Sequence, residues 1–174
     1  MIGGLAASLA LAAAALAQPA AAPPSATASL KTPDGVIIGS VVLTEGPSGV
    51  LLRVDLKGLT PGWHGMHFHE KGDCSDPKFM SSGGHIQMPG MKMPHGLLNP
   101  EGPDYGDLPN IFVQADGTAK AEAFSTTVSL KGAQGRSALL DADGSALVIH
   151  AAADDQTSQP IGGAGARVAC AVIR

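Results

Sequence analysis

The chain has 174 residues, a formal net charge of −4, and many glycines (23) and prolines (13). This length fits one domain with a sizeable core, and the lack of a basic excess argues against nucleic acid as a partner. Short β-branched runs between the glycines and prolines predict strands and turns rather than helices.

The first 30 residues carry no charge and are mostly Ala and Leu. An apolar run over residues 5–17 ends in Ala-Leu-Ala, which matches the cleavage pattern of a secretory signal peptide. We therefore predict a signal peptide over residues 1–17, a disordered leader over 18–30 and one domain over 31–174, located in the periplasm or secreted. A retained membrane anchor is the alternative, but the run is shorter than the roughly 20 residues that span a bilayer, so no membrane partner is expected after cleavage.

The rest of the chain divides into short strands and two long loops. The first two strands pair through a turn at residues 45–48, and Asp-Gly pairs at 116–117 and 143–144 predict two further hairpins. Loops over residues 71–109 and 151–165 are too long to be idle connections. The predicted strands are 36–44, 49–57, 63–70, 111–114, 118–124, 137–140, 146–150 and 166–173. About eight short strands indicate an all-β antiparallel sandwich or barrel.

The histidines predict a metal centre. Three of the six lie within residues 61–70, and in an extended segment His67 and His69 project to one face while Phe68 faces the other way. That pair is half of a metal site, or alternatively a solvated polar strand face. Imidazole suits copper and zinc at neutral pH, so histidines from remote segments are expected to complete the site. The other histidines are His64, His85, His95 and His150.

Cys74 and Cys170 are the two cysteines of the chain. In an oxidising compartment a disulfide between them is the simplest expectation, and closing so long a loop stabilises a fold by roughly 4 kcal/mol or somewhat less. If the chain stays in the cytosol, two free buried thiols are the alternative.

Seven short motifs follow one another in a specific order. They are Gly65-Met66-His67-Phe68-His69-Glu70, Gly72-Asp73-Cys74, Gly83-Gly84-His85, His95-Gly96, Gly106-Asp107-Leu108-Pro109, His150 with Asp154-Asp155, and Gly165-Ala166-Arg167-Val168-Ala169-Cys170. In this combination the chain resembles the copper/zinc superoxide dismutases in their bacterial periplasmic form, from about residue 30 onward. The resemblance implies an eight-stranded antiparallel Greek-key barrel or sandwich with two long functional loops.

The resemblance also assigns the copper site. It implies that copper is bound by His67, His69, His85 and His150. His64 is expected to support the copper site without binding the metal. Asp154 is expected to accept hydrogen bonds from one copper histidine and one zinc histidine, which fixes their tautomers. The family's disulfide would join Cys74 to Cys170 and tie the first long loop to the last strand.

For zinc, the resemblance implies His85 as a bridging ligand together with His95 and Asp107. The family has a further zinc histidine where this chain has Asp104. Zinc accepts carboxylate oxygen at about 2.0 to 2.2 Å, so Asp104 is the expected fourth ligand. The alternatives are an empty second site, another divalent ion, or Asp104 acting only as a turn residue.

The implied reaction is the disproportionation of superoxide to oxygen and hydrogen peroxide, with copper reduced by one superoxide and reoxidised by a second. His85 is expected to release copper, take up a proton and return it to the product. Because the protein is negative overall, local positive charge must steer the anion. Arg167 is expected to do so beside the copper, with help from Lys71 or Lys92.

Met88, Met91 and Met93 lie in a stretch between His85 and His95 that is two residues longer than the family's usual spacing. Thioethers suit Cu(I), so these methionines either collect copper from a donor or only pack over the loop. This stretch and Asp104 motivate the alternative function, a non-enzymatic copper-binding or copper-carrying protein on the same fold, which would not need Arg167.

Two further points concern other classes and assembly. A cupin metalloenzyme also has a His-x-His motif, but its Glu lies further on, whereas Glu70 directly follows His69 here. No strand shows an obvious apolar outer face reserved for a partner, so the sequence leaves homodimer and monomer open.

Overall fold

The computed structural model describes residues 21–133 and 135–174, so the signal peptide predicted over 1–17 lies outside the described residues. Within these residues the only helical element is a 3₁₀ turn, Met80–Ser82, and no helix is long and apolar enough to cross a membrane. The described strands are β1 Ser25–Lys31, β2 Ile37–Gly46, β3 Gly49–Lys57, β4 Gly62–His64, β5 Met66–His69, β6 Ile111–Val113, β7 Thr118–Ser125, β8 Val128–Ser129, β9 Ser137–Ala138, β10 Ser145–His150 and β11 Arg167–Ile173.

Seven strands form one antiparallel sheet in the order β5-β10-β11-β1-β2-β3-β7. A small sheet of β4 and β6 joins its two edges, because β4 leads into β5 and β6 leads through a tight turn into β7. In that turn the Gly117 amide donates to the Gln114 carbonyl at 2.9 Å. The small sheet closes the large one into a barrel, which confirms the predicted all-β antiparallel barrel.

The core lies inside the barrel and follows from strand alternation. In β3, Val50 and Leu52 are fully buried while Arg53 and Asp55 point to solvent, as the period of two in the sequence predicts. Phe68 and Leu147 are likewise fully buried from the opposite side of the barrel. These apolar side chains hold the sheet in its curved form.

One predicted hairpin is confirmed. A second is closed at its turn by a hydrogen bond from the Gln114 amide to the Thr118 carbonyl at 2.8 Å, and the third is wrong as a pairing. β2 and β3 pair directly, with Gly46 opposite Gly49. The chain also reverses at both Asp-Gly pairs, but β6 pairs with β4 and β9 pairs in parallel with β8. An Asp-Gly pair determines that the chain turns, but it does not determine which strand lies alongside.

The predicted disordered leader is wrong for residues 25–30. They belong to β1, which pairs along its length with β2 and at Lys31 with β11. Ala28 and Leu30 are buried in the core, but the strand is built largely from Ser, Ala and Thr and has too few large apolar residues to be recognised from composition. The single strand predicted over 63–70 is also divided, at Gly65, into β4 and β5.

The outer face of β10 and β11 is covered by the first long loop. The Cys74–Cys170 disulfide is present, which confirms that prediction, and Phe79 packs with the two cysteines against Val148. Because His67 lies opposite Val148 in the ladder, and directly paired residues share a face, the histidines of β5 also lie on this outer face, between sheet and loop.

The outer face of β4 and β6 carries exposed apolar side chains. Trp63 and Phe112 are 57% and 43% exposed, and their rings meet edge to face at 5.0 Å. Leu97 and Leu98 of the first long loop lie beside Trp63. The sequence does not show this apolar surface, because strands of three residues are too short to show a period.

Candidate metal centre

Four histidine side chains converge under the first long loop. One ligand nitrogen of each lies within 4.8 Å of the other three, and all four residues are buried. The structure therefore brings together the four residues predicted to bind copper. They are His67, His69, His85 and His150.

Strand geometry and loop contacts place these rings. His67 and His69 are two residues apart on β5 and point to the same outer face. His85 is brought to β5 by backbone pairing, with a bridge to His69 and with the Ile86 amide donating to the Phe68 carbonyl at 3.0 Å. His150 follows a register irregularity at the end of β10.

Each of the four rings has one buried nitrogen without a hydrogen-bond partner. These atoms are His67 Nδ1, His69 Nε2, His85 Nε2 and His150 Nε2. A buried polar atom that makes no hydrogen bond costs free energy, so four of them facing one point are not explained by packing. Four imidazole nitrogens are a ligand set suited to copper, and the residues present fit the metal.

The second nitrogen of each ring has an oxygen partner. His69 Nδ1 donates to the Gly83 carbonyl and His150 Nδ1 to the Gly165 carbonyl, both at 3.0 Å. His67 Nε2 lies 2.7 Å from Asp154 Oδ2. A ring that donates through one nitrogen presents its lone pair on the other, so these contacts prepare the unpartnered nitrogens for a metal.

A second cluster shares His85. Its Nδ1 lies 2.9 Å from Asp104 Oδ2 and 3.5 Å from Asp107 Oδ1. His95 Nδ1 lies 2.5 Å from the same Asp107 oxygen. All four predicted zinc residues are thus adjacent and buried, and their nitrogen and carboxylate donors are those that zinc accepts.

The second set of ligand atoms that lie close together differs in one residue from the predicted zinc ligands. The second set of ligand atoms within 4.8 Å of one another comprises His67, His85, His95 and Asp107, without Asp104. His67 enters this set by proximity, although its Nε2 is engaged by Asp154 and its Nδ1 belongs to the unpartnered set. The predicted zinc ligand whose side chain the Asp104 carboxylate contacts is His85.

Asp154 connects the two clusters. Its Oδ2 accepts from His67 Nε2, and its Oδ1 accepts from His95 Nε2 at 3.1 Å and from the Gln156 amide at 2.6 Å. Asn110 holds the Asp154 backbone through two hydrogen bonds, of 2.8 and 2.9 Å. The carboxylate therefore lies where the prediction places it, between one histidine of each cluster.

Burial and neighbouring charge separate the histidines into two groups. Burial lowers the pKa of His67 to about 4 and that of His150 to about 3, and it holds the pKa of His69 well below its ordinary value. These rings are neutral and ready to bind a metal at pH 7. Burial also acts on His95, but hydrogen bonds to Asp107 and Asp154 outweigh it and raise its pKa to about 10.

Burial and neighbouring groups also shift the pKa values of His85 and Asp104. Burial lowers the pKa of His85, yet hydrogen bonds to Asp104 and Asp107 leave that pKa above its ordinary value. Burial raises the pKa of Asp104. Without metal, the second cluster therefore holds protons between nitrogen and oxygen, and a bound cation takes their place.

Arg167 lies beside the copper histidines, at the start of β11. Its Nη1 donates to the Phe79 carbonyl at 2.6 Å and to Ser82 Oγ at 2.9 Å, and its Nη2 donates to the Gly83 carbonyl at 2.8 Å. The Gly83 carbonyl also accepts from His69. Arg167 thus supports the loop that orients a copper histidine.

A cleft of ≈ 640 Å³ leads to this region and is lined by His150 and Arg167. Its lysine is Lys78. Neither Lys71 nor Lys92 lines the cleft, so help from one of them in steering the anion stays a prediction. The sequence distance between a lysine and the histidines does not show which way the disulfide-tied loop folds back.

His64 lies outside both clusters and is buried. Its Nδ1 is 2.6 Å from the His150 carbonyl and its Nε2 is 2.8 Å from the Thr60 carbonyl. It contacts the backbone of a copper histidine without offering a free nitrogen, which is the place predicted for it.

Sequence reasoning missed two polar residues that hold the site. Asn110 braces Asp154, and Gln159 accepts from the His95 amide at 3.0 Å while donating to its carbonyl at 2.8 Å. Each acts through the backbone of a residue more than 40 positions away. No local motif marks either one.

Known proteins have similar sequences over most of this chain. The family model described as copper/zinc superoxide dismutase (SODC) matches residues 37–173. A Cu-Zn superoxide dismutase of Caulobacter vibrioides is 63% identical over 150 residues, which cover 86% of this chain and 86% of the relative. A second Cu-Zn superoxide dismutase, from Aquifex aeolicus, is 44% identical over the same shares of both chains.

Solved structures agree. The Cu/Zn superoxide dismutase from Brucella abortus superposes with a TM-score of 0.68 at 33% identity, covering 87% of this chain and 100% of the other. A SOD-like protein from Bacillus subtilis superposes with a TM-score of 0.78 at 35% identity, covering 85% and 97%.

Proposed function

Because the chain belongs to the copper/zinc superoxide dismutase family, we propose that its four unpartnered imidazole nitrogens hold the catalytic copper and that its second cluster holds zinc. The chain is an enzyme of this family, with superoxide as its substrate and with copper and zinc as its metals. When bound, copper supplies the one-electron oxidation and reduction that turn two superoxide ions into oxygen and hydrogen peroxide.

The copper assignment rests on the four buried histidine nitrogens that have no hydrogen-bond partner. Each belongs to a ring whose other nitrogen is engaged by an oxygen. The three rings outside the zinc cluster have depressed pKa values, caused by burial, so they offer lone pairs rather than protons at neutral pH.

His85 is the proton carrier in this proposal. Its Nδ1 faces two carboxylates, while its Nε2 belongs to the copper set. The carboxylates stabilise a positively charged ring, so His85 can hold a proton on Nε2 without leaving its place. From that atom the proton passes to the reduced oxygen product.

Arg167 and Lys78 supply the positive charge that superoxide needs. The formal net charge of the chain is −4, so attraction must come from charges near the mouth of the site. Both cations line the cleft that reaches His150. Arg167 is held by three hydrogen bonds to loop oxygens, which orders it before the anion arrives.

Asp104 is the fourth zinc ligand in this proposal. Its two oxygens have separate partners: Oδ1 accepts from the Gly106 amide at 3.0 Å, whereas Oδ2 faces His85 Nδ1. One oxygen thus caps the turn and the other is available to the metal. The turn role and the ligand role are compatible.

Export of the chain to the periplasm or outside the cell is also part of the proposal. The Cys74–Cys170 disulfide is the kind of bond that persists in oxidising compartments. The uncharged, apolar first 17 residues have the composition of a signal peptide.

The test is a dismutase assay combined with elemental analysis of the purified chain. We expect activity that depends on copper, with one copper and one zinc per chain. Protein that binds one copper per chain but does not remove superoxide would be the copper carrier instead. The family relationship favours the enzyme.

A further inference from the structure

Three thioethers lie on one exposed turn of the first long loop. Residues 88–93, here called the methionine turn, contain Met88, Met91 and Met93, which are half of the six methionines in the chain. Along the chain this segment connects His85 with His95, so it joins the copper cluster to the zinc cluster. Neither cluster uses it.

The backbone brings the side chains of Met88 and Met91 together. Met88 and Met91 form an antiparallel bridge, and the Met91 amide donates to the Met88 carbonyl at 3.0 Å. Gly90 has φ of 77°, as the tight turn after Pro89 requires. Residues directly opposite in such a pair have Cβ atoms about 4.5 to 5.5 Å apart on one face.

Met93 lies at the end of the turn, two residues after Met91. Its amide donates to Gln87 Oε1 at 2.7 Å, which holds the end of the segment against its beginning. Two flexible thioether side chains, of Met88 and Met91, therefore start from one side of a closed turn, and a third lies at its end.

Core packing does not account for this cluster. Met66, which does pack in the core, is 1% exposed, whereas Met91 is 56% exposed. Met88 and Met93 are half-buried, and none of the three belongs to the hydrophobic core. Met91 is therefore held largely in solvent, and Met88 and Met93 only partly so.

We propose that the methionine turn binds one Cu(I) ion and passes it to the neighbouring histidine cluster. Thioether sulfur is a soft, uncharged donor that selects Cu(I) and offers little to Zn²⁺. It requires no deprotonation, so the site binds without releasing protons. Met88 follows His85 by three residues, so the turn begins within about 11 Å of the His85 backbone.

The first test measures Cu(I) binding to protein whose copper and zinc clusters are already filled. Anaerobic competition with a chromophoric Cu(I) chelator should show one additional equivalent per chain, and excess Zn²⁺ should not displace it. The triple variant Met88→Leu/Met91→Leu/Met93→Leu should lose this equivalent. Met80→Leu removes a methionine that is 62% exposed but lies outside the turn, and should keep it.

Silver(I) is a redox-inert probe of the same site. With ¹³C-methyl methionine labelling, three methyl resonances should shift on addition of Ag(I) to the filled protein. No additional Cu(I) equivalent, or one retained by the triple variant, would overturn the proposed binding site.

Transfer of copper from the methionine turn to the histidine cluster is measured separately. Metal-free protein given limiting Cu(I) should fill its histidine cluster more slowly in the triple variant, as followed by copper content after removal of loosely bound metal. Equal filling rates would overturn the transfer role. The fully loaded triple variant should remain active, so failure here is distinguishable from failure of the dismutase assignment.

Discussion

Replacing Asp154 by Asn should weaken copper binding more than zinc binding. The carboxylate accepts three hydrogen bonds, two at Oδ1 from His95 and the Gln156 amide and one at Oδ2 from His67. An amide has only one oxygen. That oxygen keeps two hydrogen bonds by taking the Oδ1 position, which leaves the NH₂ group facing His67.

The substitution changes the tautomer of His67, and this change weakens copper binding. An amide NH₂ donates, so His67 Nε2 must accept, and the ring proton moves to Nδ1, the nitrogen of the copper set. Loss of an outer hydrogen-bond partner of this kind typically costs 10- to 100-fold in metal affinity, which is about 1.4 to 2.7 kcal/mol. We expect this loss for copper and a smaller one for zinc, since His95 keeps its acceptor.

The assay is chelator competition for Cu²⁺ and Zn²⁺ separately, with Asp155→Asn as the matched control. Asp155 is the next residue, but it is exposed and caps a turn through the Thr157 and Ser158 amides. Its variant should bind both metals as the parent does. A larger loss of zinc than of copper in Asp154→Asn, or no loss beyond the control, would refute the reasoning.

Three further predictions follow from the site. Arg167→Ala should lower kcat/KM for superoxide more than Lys78→Ala, because it removes both a charge and the support of the loop, and the salt dependence of the rate should weaken in both; equal losses would contradict this. Asp104→His should tighten zinc binding in chelator competition, since it replaces a carboxylate with an imidazole, and unchanged affinity would show that Asp104 is not a ligand. For metal-free protein, the free energy of unfolding in urea should peak near pH 6.5. It should fall as the pH drops toward 4, because the pKa of His67 is about 4 in the folded protein and 6.5 in the unfolded chain. It should also fall as the pH rises toward 10, because His95 then loses the proton that its raised pKa of about 10 holds in the folded protein. A flat profile between pH 4 and 10 would contradict these protonation states.

From residue chemistry alone the sequence predicts half of a metal site, and the family resemblance implies the remaining ligands. The His-x-His pair at His67 and His69 follows from strand alternation alone, and the structure places both on one face. What the sequence could not show is how each ring is held. The carbonyls of Gly83 and Gly165 orient two of the histidines, and backbone carbonyls leave no mark on residue identity.

The fold was readable where the period of the side chains was long enough. β3 alternates over nine residues, and its pattern predicted the burial correctly. β1 was missed because Ser and Ala side chains show little contrast between faces, although seven residues pair there. The partner of β6 is β4, which lies far earlier in the chain, and the partner of β9 is the two-residue strand β8. Local turn signals indicate neither.

Anomalous X-ray diffraction from crystals of the loaded protein, recorded at the copper and zinc absorption edges, tests the metal assignment most directly. We predict a copper peak ligated by the four unpartnered nitrogens, His67 Nδ1, His69 Nε2, His85 Nε2 and His150 Nε2. We predict a zinc peak within about 2.2 Å of His85 Nδ1 and Asp104 Oδ2. Copper ligated by other atoms, or zinc without Asp104 as a ligand, would contradict the account.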